Sequence, residues 1–411
     1  MSYRKLGDLV KFISNKNTDG NATILFGINI DKFFMPSVAN IVGVDLKKYK
    51  VVKKYQFACN RMHVGRDERL PISMSTFDYD FIVSPAYDVF EVISSKVLPE
   101  YLMLWFRRKE FDRQCWFYTD ADVRGGLHLD ALKSIEIKVP SIEEQRQIVA
   151  QYQSIANKIK VNEQICEKLE ATAQALYKHW FVDFEFPNEE GKPYKSSGGK
   201  MVWNEELGKE IPEGWEVKSL GDNIDYKKGY AFKSEDYEFT GNCIIRVTDL
   251  GNKYVDSSDF YKIQMNKIYQ NYSVKYKDVI ITTVGSWPSN PLSVVGKVVR
   301  VPSFANDYYL NQNMVRLRFD HSLNEIIYQQ ITDKKFGEYL ISGAQGSANQ
   351  ASITLEHIFN FRIVVCNDNM LNIPLNNLYE MIDLIINQNQ KLTQLQSLLL
   401  SRLAVGEEVG A

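Results

Sequence analysis

The sequence predicts an α+β protein: two mixed α/β heads separated by two long helices, paired within the chain as an antiparallel coiled coil with pseudo-two-fold symmetry. Three observations carry this expectation: an internal repeat, two heptad seams, and an alternating apolar rhythm confined to the stretches outside the seams.

The repeat organises the chain. YRKLGDLVKFISNK (3–16) resembles WEVKSLGDNIDYKK (215–228), which places Leu6-Gly7-Asp8 on Leu220-Gly221-Asp222. LHLDALKSIEIKV (127–139) resembles ITLEHIFNFRIVV (353–365) at a constant offset of 226, and VLPEYLMLWF (97–106) lines up with SLNEIIYQQI (322–331). The landmarks keep their order in both halves, and each half runs into a helical segment. The layout is head, helix, linker, head, helix.

The helices follow from periodicity. A three-four spacing from Gln145 picks out Ile155, Ile159, Asn162, Cys166, Leu169 and Leu176. The same rule near the C-terminus picks out Ile382, Ile385, Asn389, Leu392 and Leu399. These are heptad seams, and each carries a single Asn near its middle, a residue that weakens packing but fixes register. The simplest partner for each seam is the other; two amphipathic helices on separate cores is the competing arrangement. Pro140-Ser141 followed by Glu143 and Glu144 is a helix start, with a hydroxyl cap and acids in the first turn. From Ser141 to Trp180 such a helix runs about 60 Å at about 1.5 Å per residue.

The heads show period-two alternation in DYDFIVSPAYDVFEVI (78–93), KDVIITTV (277–284) and DYYLNQNMVRLRF (307–319). The segment 187–215, rich in Gly, Ser, Lys and Glu, reads as a partly ordered linker. The expected boundaries are a first head over 1–140, the central helix over 141–186 and a linker over 187–212. A second head over 213–370, the C-terminal helix over 371–405 and a tail over 406–411 complete the chain.

Composition excludes several classes. With 45% hydrophobic and 24% charged residues over 411 positions, the chain predicts folded units rather than disorder. Its apolar runs fall short of the roughly 18 residues that span a membrane. MSYRKLGDLVKF lacks the apolar core of a signal peptide, which predicts a cytoplasmic protein. The five cysteines are scattered, with neither a C-x-x-C pair nor a His at ligand spacing, so they read as thiols in the core. Phosphate-loop, dinucleotide, metalloprotease and nucleophile-elbow motifs are missing, as is any Pro-Pro dipeptide of an amino-methyltransferase. The acids of VDFEFPNEEGK (182–192) read as a solvated helix exit rather than a metal cluster, and no catalytic residue or metal site is assigned.

Charge is sorted along the chain despite a net value of −2. From Asp45 to Arg69, eight Lys/Arg face three acids; from Ser141 to Glu190, five Lys/Arg face nine. Lys47, Lys48, Lys53, Lys54, Arg66 and Arg69, with Asn60, Arg61 and His63 at a loop tip, suit a DNA groove, and Arg124 joins them. Lysine and arginine hold phosphates, while arginine and asparagine read guanine and adenine edges with paired hydrogen bonds. A basic face that is merely solvated is the plainer alternative. The second head offers Lys227, Lys228 and Lys233, the loop GSWPSN with Ser286, Trp287 and Asn290, the tripeptide Asn311-Gln312-Asn313, and GAQGSANQ with Gln345, Ser347 and Gln350. These are turn formers or a donor–acceptor set for base readout.

With these strings in hand, the chain resembles the specificity subunit of Type I restriction-modification systems. KHWFVDFEFP (178–187) is similar to that family's helix exit, and GGKMVWNEELGKEIPEGWEVKSLGD (198–222) to its entry into the second head. VPSIEEQRQI (139–148) resembles the start of the first conserved helix, and GAQGSANQASIT (343–354) the stretch closing a recognition domain. The second helix departs from the pattern, starting NMLNIPLNNLYEMI (369–382) without the counterpart of Glu144-Gln145. The resemblance covers essentially the whole chain. It implies a subunit without activity of its own, whose two target-recognition domains each read one half of a split double-stranded DNA sequence. It implies helices that set the spacer and dock two modification subunits, which methylate adenines. Restriction subunits complete the complex, and S-adenosylmethionine, ATP and magnesium are expected on the partners, not on this chain. A specificity subunit serving a fused methyltransferase-nuclease, and a coiled-coil scaffold with two protein-binding heads, are the other readings.

Overall fold

The repeat landmarks are the two sides of one closure, used twice. Strand Ser2–Lys5 pairs antiparallel with Glu136–Val139, Tyr3 opposite Lys138. Strand Glu216–Ser219 pairs antiparallel with Arg362–Val365, Val217 opposite Val364. Each head therefore begins and ends on the same two-stranded ribbon. The Leu-Gly-Asp string follows that ribbon. The Leu6 N–H donates to the Ile135 carbonyl at 2.9 Å and the Leu220 N–H to the Phe361 carbonyl at 2.8 Å; both leucines are buried. The glycines let this turn pass the helix that precedes the closing strand. A Cβ on Gly7 would stand 3.1 Å from the Lys133 Cβ, and one on Gly221 2.7 Å from the Phe359 Cβ.

The structure, a computed structural model, describes residues 2–37, 43–62, 64–119, 125–222, 224–256, 259–287, 289–290, 293–319, 323–347, 350–366 and 368–403. It divides into Met1–Lys158 with Gln394–Ala411, and Ile159–Thr393. This partition crosses the boundaries expected at 140 and 370, because each unit joins a head to the helix segments sharing its core. In the first unit Val149, Ile148 and Tyr152 of the central helix and Leu400 and Leu403 sit in the core of the head. In the second unit Ala173, Leu375, Tyr379 and Ile382 do the same.

Within each head an antiparallel four-stranded sheet has one order. In the first it is Val10–Ile13, Asp88–Val92, Phe57–Cys59, Ile72–Met74; in the second, Asp225–Lys228, Met314–Arg318, Val279–Thr282, Val298–Arg300. The strands Phe57–Cys59 and Val279–Thr282 are buried on both faces, as their unbroken apolar runs require. Alternation then sends neighbours to opposite layers. Phe57 and Cys59 enter the helix-side core while Ala58 enters the outer core; Val279 and Ile281 enter the helix-side core while Ile280 enters the outer one. The helix layer is Pro99–Phe106 and Lys109–Phe117 in the first head, Asn324–Thr332 and Lys334–Ser342 in the second.

The outer layers differ. The first head carries a hairpin, Phe26–Ile28 with Phe34–Pro36, and a ribbon, Lys50–Val52 with Phe81–Val83. The second carries a four-stranded sheet in the order Tyr237–Glu238, Tyr261–Ile263, Asn242–Ile245, Tyr309–Leu310, whose last pair is parallel.

The central helix runs Ile142–Tyr177 and passes into a π-helical turn, Lys178–Val182; the C-terminal helix runs Ile373–Arg402. Ser141 and Glu144 form a capping box: Glu144 accepts from the Ser141 N–H at 2.8 Å, and the Ser141 hydroxyl accepts from the Glu144 N–H at 3.3 Å. Gln145, fully buried, accepts from the Leu98 N–H and donates to the Lys96 and Pro140 carbonyls. The second helix lacks Glu-Gln, yet the buried Asn372 accepts from the Ile326 N–H at 3.3 Å. A shorter amide does part of the work of Gln145.

The two seams meet where the isolated asparagines predict. Asn162 Nδ2 donates to Asn389 Oδ1 at 2.7 Å and to Gln388 Oε1 at 2.8 Å. Further along the central helix, Ala173 shares a core with Leu375 and Ile382, which precede Asn389, so the helices run antiparallel. Asn162 and Ile382 are buried; Ile155, Ile159, Cys166, Leu169, Leu176, Ile385, Asn389, Leu392 and Leu399 are half-buried.

The stretch expected as a partly ordered linker is folded. Met201–Asn204 pairs with Lys209–Pro212, and Phe186 stacks against Tyr194 (4.6 Å) and Trp215 (5.1 Å). A few aromatics anchor a segment whose composition is otherwise that of a loop. Among the described residues no helix is long and apolar enough to cross a membrane.

Candidate nucleic-acid interface

In the first head, the strand Phe57–Cys59 ends in a loop, Asn60-Arg61-Met62, that leads to the turn of helix Val64–Asp67. Asn60 caps this loop by accepting from the Met62 N–H at 3.1 Å. The segment 125–127 lies beside it: the Gly65 N–H donates to the Gly125 carbonyl at 2.7 Å and the Leu127 N–H to the Arg61 carbonyl at 3.0 Å. A Cβ on Gly65 would stand 2.6 Å from the Gly125 Cα, so only two glycines allow this approach.

The basic stretch is less free than its local charge suggests, because the fold brings acids to it from other segments of the head. Lys53 faces Asp80 at 3.9 Å, Lys54 pairs with Asp78, and Arg69 pairs with Asp31 at 3.1 Å. Lys48 lies 3.9 Å from Asp45, and Arg66 pairs with its neighbour Asp67 at 2.6 Å. Hydrogen bonds that they donate to these carboxylates hold the Lys54 ammonium and the Arg66 guanidinium above their ordinary values. Arg61 is committed inward, to the Asp88 carboxylate and the Leu127 carbonyl, and is a strut of the loop rather than a reader. Lys47 is exposed on the turn Leu46–Lys48. His63 and Arg124 lie outside the described residues.

The second head gathers its candidates more completely. Lys228 ends the strand Asp225–Lys228; the Tyr230 N–H then donates to the Leu310 carbonyl, and the Gln312 N–H returns the bond to Tyr230. The Thr283 N–H donates to the Asn313 carbonyl, and the Ile353 N–H to the Thr283 carbonyl. Asn313 is thus tied through Thr283 to the segment that leads to Ser286 and Trp287 and, where Val284–Gly285 pairs with Gln350–Ser352, to the hairpin of Gln345, Ser347 and Gln350. Asn313 itself takes a left-handed backbone, φ 69°, which asparagine tolerates better than most residues. The hairpin Gln345–Ser347 with Gln350–Ser352 leaves Gln345, Ser347 and Gln350 exposed, and Trp287 Nε1 donates to the Ser347 carbonyl at 2.6 Å. The Asn290 N–H donates to the Trp287 carbonyl, extending that loop. Lys233 stands apart, 3.2 Å from Glu235.

Sequence reasoning missed the tyrosines of this edge. Tyr230 lies 5.0 Å from Tyr272, whose ring sits 4.9 Å from the Lys227 ammonium. The signal for Tyr272 was legible as the tyrosine-rich string YQNYSVKY (269–276), whose spacing matches neither a seam nor a strand. Among the described residues, no group of three or more His, Cys, Asp or Glu is placed to hold a metal ion.

The family described as the Type I restriction modification DNA specificity domain matches residues 1–171 and 212–370. The chain belongs to this family. It carries two copies of the specificity domain, and their DNA sequence specificity is the property of these two heads. The MjaIX specificity subunit of Methanocaldococcus jannaschii, a Type I restriction enzyme subunit, is 34% identical over 198 residues. That match covers 46% of this chain and 42% of the relative. The HindI specificity subunit of Haemophilus influenzae is 22% identical over an alignment covering 98% of each chain. The crystal structure of a Type I restriction-modification S subunit from M. genitalium aligns over 98% of this chain and 95% of its own, with 12% identity and a TM-score of 0.49.

Proposed function

We propose that this chain is the non-catalytic specificity subunit of a Type I restriction-modification complex, acting in the cytoplasm on double-stranded DNA. Each head reads one half of a bipartite target, the helix pair sets the spacer, and two modification subunits dock on the helices to methylate adenines. Restriction subunits complete the assembly. S-adenosylmethionine, ATP and magnesium belong to those partners, and this chain binds none of them.

The observation that carries the reading is the duplicated head: one sheet order and one strand closure beneath two different sets of loops. Two similar scaffolds with dissimilar loops suit two dissimilar half-sites. For docking, the support is apolar surface on the C-terminal helix in each unit. Met381 and Leu384 are 50% and 70% exposed in the second unit, and Leu395 and Leu398 are 45% and 57% exposed in the first. Helix faces of this kind meet partner helices.

Mapping methylated adenines in cells that express this chain with its modification partner tests the reading. The expected result is one split sequence with two unlike halves. Methylation or cleavage by the purified chain alone would overturn it, and no DNA retention by the assembled complex would favour a protein scaffold. Inserting four residues near Lys160 is expected to change the spacer and leave both half-sites intact; an unchanged spacer removes the ruler role.

A further inference from the structure

The helix Lys109–Phe117 of the first head ends in three consecutive aromatics that the fold does not use. Phe111 and Cys115 point into the core and are fully buried, whereas Trp116, Phe117 and Tyr118 are 46%, 79% and 46% exposed. They are held on an ordered helix end. The Tyr118 N–H donates to the Gln114 carbonyl, and the Thr119 hydroxyl donates to the Trp116 carbonyl at 2.7 Å. Phe117 and Tyr118 pack edge to face, ring centroids 5.4 Å apart. A side chain as large and apolar as Phe117, kept in water beside a partner ring, is surface held for a contact.

Its position names the contact. Thr119 bridges to Leu127, and the Leu127 N–H bonds the Arg61 carbonyl, so the aromatic end adjoins the loop Asn60-Arg61-Met62. The helix also packs on Val64–Asp67, which carries Arg66. At the matching positions the second head carries no aromatic, and its exposed Phe239 lies elsewhere, next to the outer-layer strand Tyr237–Glu238. The positions that match through the paired helices are Ile341, Ser342 and Gly343, and the chain there turns into the polar hairpin beginning at Gln345.

The geometry points to Phe117, with Trp116 and Tyr118 beside it, as a wedge that stacks on an opened base step in the half-site read by the first head. The inference rests on the proposed DNA-reading function and adds an asymmetry to it: one head unstacks its half-site, while the other reads through polar loops. Apolar wedges of this kind enter between base pairs, and exposed aromatic rings stack on bases without regard to sequence.

The test uses the chain assembled with its modification partner, on a duplex carrying the mapped target, with 2-aminopurine placed in turn at each step of both half-sites. A rise at the methylated adenines belongs to the partner's chemistry, so the readout is dependence on Phe117. Phe117→Ala is expected to lower the fluorescence of one step, in one half-site only, by about threefold. It is also expected to weaken target binding by about tenfold, with the melting temperature unchanged and Phe117→Trp restoring both. Fluorescence indifferent to Phe117→Ala at every step overturns the wedge. So does a variant that loosens the complex with the modification partner when no DNA is present, because the ring would then be a protein contact. Absence of selective binding by the wild-type complex is a separate result, which removes the proposed function itself.

Discussion

In the first head a buried charge enters from the outer layer; in the second a buried ion pair lies between the inner sheet and the helices. Lys32, at the tip of the hairpin Phe26–Ile28 with Phe34–Pro36, reaches the Asp112 carboxylate at 2.7 Å. Burial holds the Lys32 ammonium below its ordinary value and the Asp112 carboxyl above its own, so the site strains both charges and is held by their pairing. Arg300, on the inner-sheet strand Val298–Arg300, makes two hydrogen bonds to Glu325, at 2.5 and 2.7 Å. Its guanidinium lies 4.9 Å from the Tyr328 ring and 4.7 Å from Tyr379 of the C-terminal helix. Asp383, one turn further along that helix, accepts from the Ser303 N–H and hydroxyl. One scaffold thus uses buried charge for two ends. The first head fixes where its outer hairpin sits, and the second fixes how its sheet sits on the helix.

The contrast can be broken at its strongest point first. Glu325→Ala leaves Arg300 buried and unpaired and is expected to destabilise the second head by about 3–5 kcal/mol. The pair Arg300→Met with Glu325→Leu is expected to recover most of that in chemical denaturation. Lys32→Met is expected to cost less, about 1–3 kcal/mol, because Asp112 keeps a hydrogen bond from the Leu70 N–H and can take up a proton. Equal losses in the two heads would remove the distinction.

The helix starts sharpen the comparison on a smaller scale. Gln145→Ala removes the side-chain partner of three backbone groups, the Pro140 carbonyl among them in a buried bond, and is expected to cost about 2–3 kcal/mol, whereas Asn372→Ala, losing one long bond, is expected to cost about 1 kcal/mol. In the shared turn, Gly221→Ala is expected to cost about 1–3 kcal/mol, and Gly7→Ala less, since its new Cβ would meet the Lys133 Cβ at 3.1 Å where that of Gly221 would meet the Phe359 Cβ at 2.7 Å. Paired thermal melts of each set give the order directly.

The smallest effect is a pH dependence confined to the central helix. Hydrogen bonds from Ser141 hold the Glu144 carboxyl below its ordinary value of 4.5. A depressed folded-state value means stabilisation present above the ordinary value and lost as pH falls through the folded one. Helicity followed by circular dichroism from pH 6 downward should therefore lose part of the first turn below about 4.5 in the wild type. In Ser141→Ala, which costs about 1 kcal/mol at neutral pH, that acid loss should be much reduced.

Much of this architecture was legible because it depends on spacing along the chain. The Leu-Gly-Asp strings, the 226-residue offset and the isolated Asn162 and Asn389 each named a local device that the structure uses: a closing strand, a repeated head, a polar layer in a seam. Less of the interface was legible. The segment around Arg61 read as a free basic tip because its partners Asp78, Asp80 and Asp88 come later in the chain, and summing charge over a window cannot bring them near. Tyr230 and Tyr272 were passed over for the same reason, since their proximity is made by the return of the chain at Leu310.

By itself the sequence determined the repeat, the antiparallel seam and the family, because each is a pattern of residue types at fixed separations, set by helical and strand periodicity. Only the tertiary structure decided which charges are committed inward, that the linker is a folded hairpin, and which aromatics stay in water. Pairing, burial and exposure depend on distances through space between residues far apart in the chain, and strand closure creates those distances.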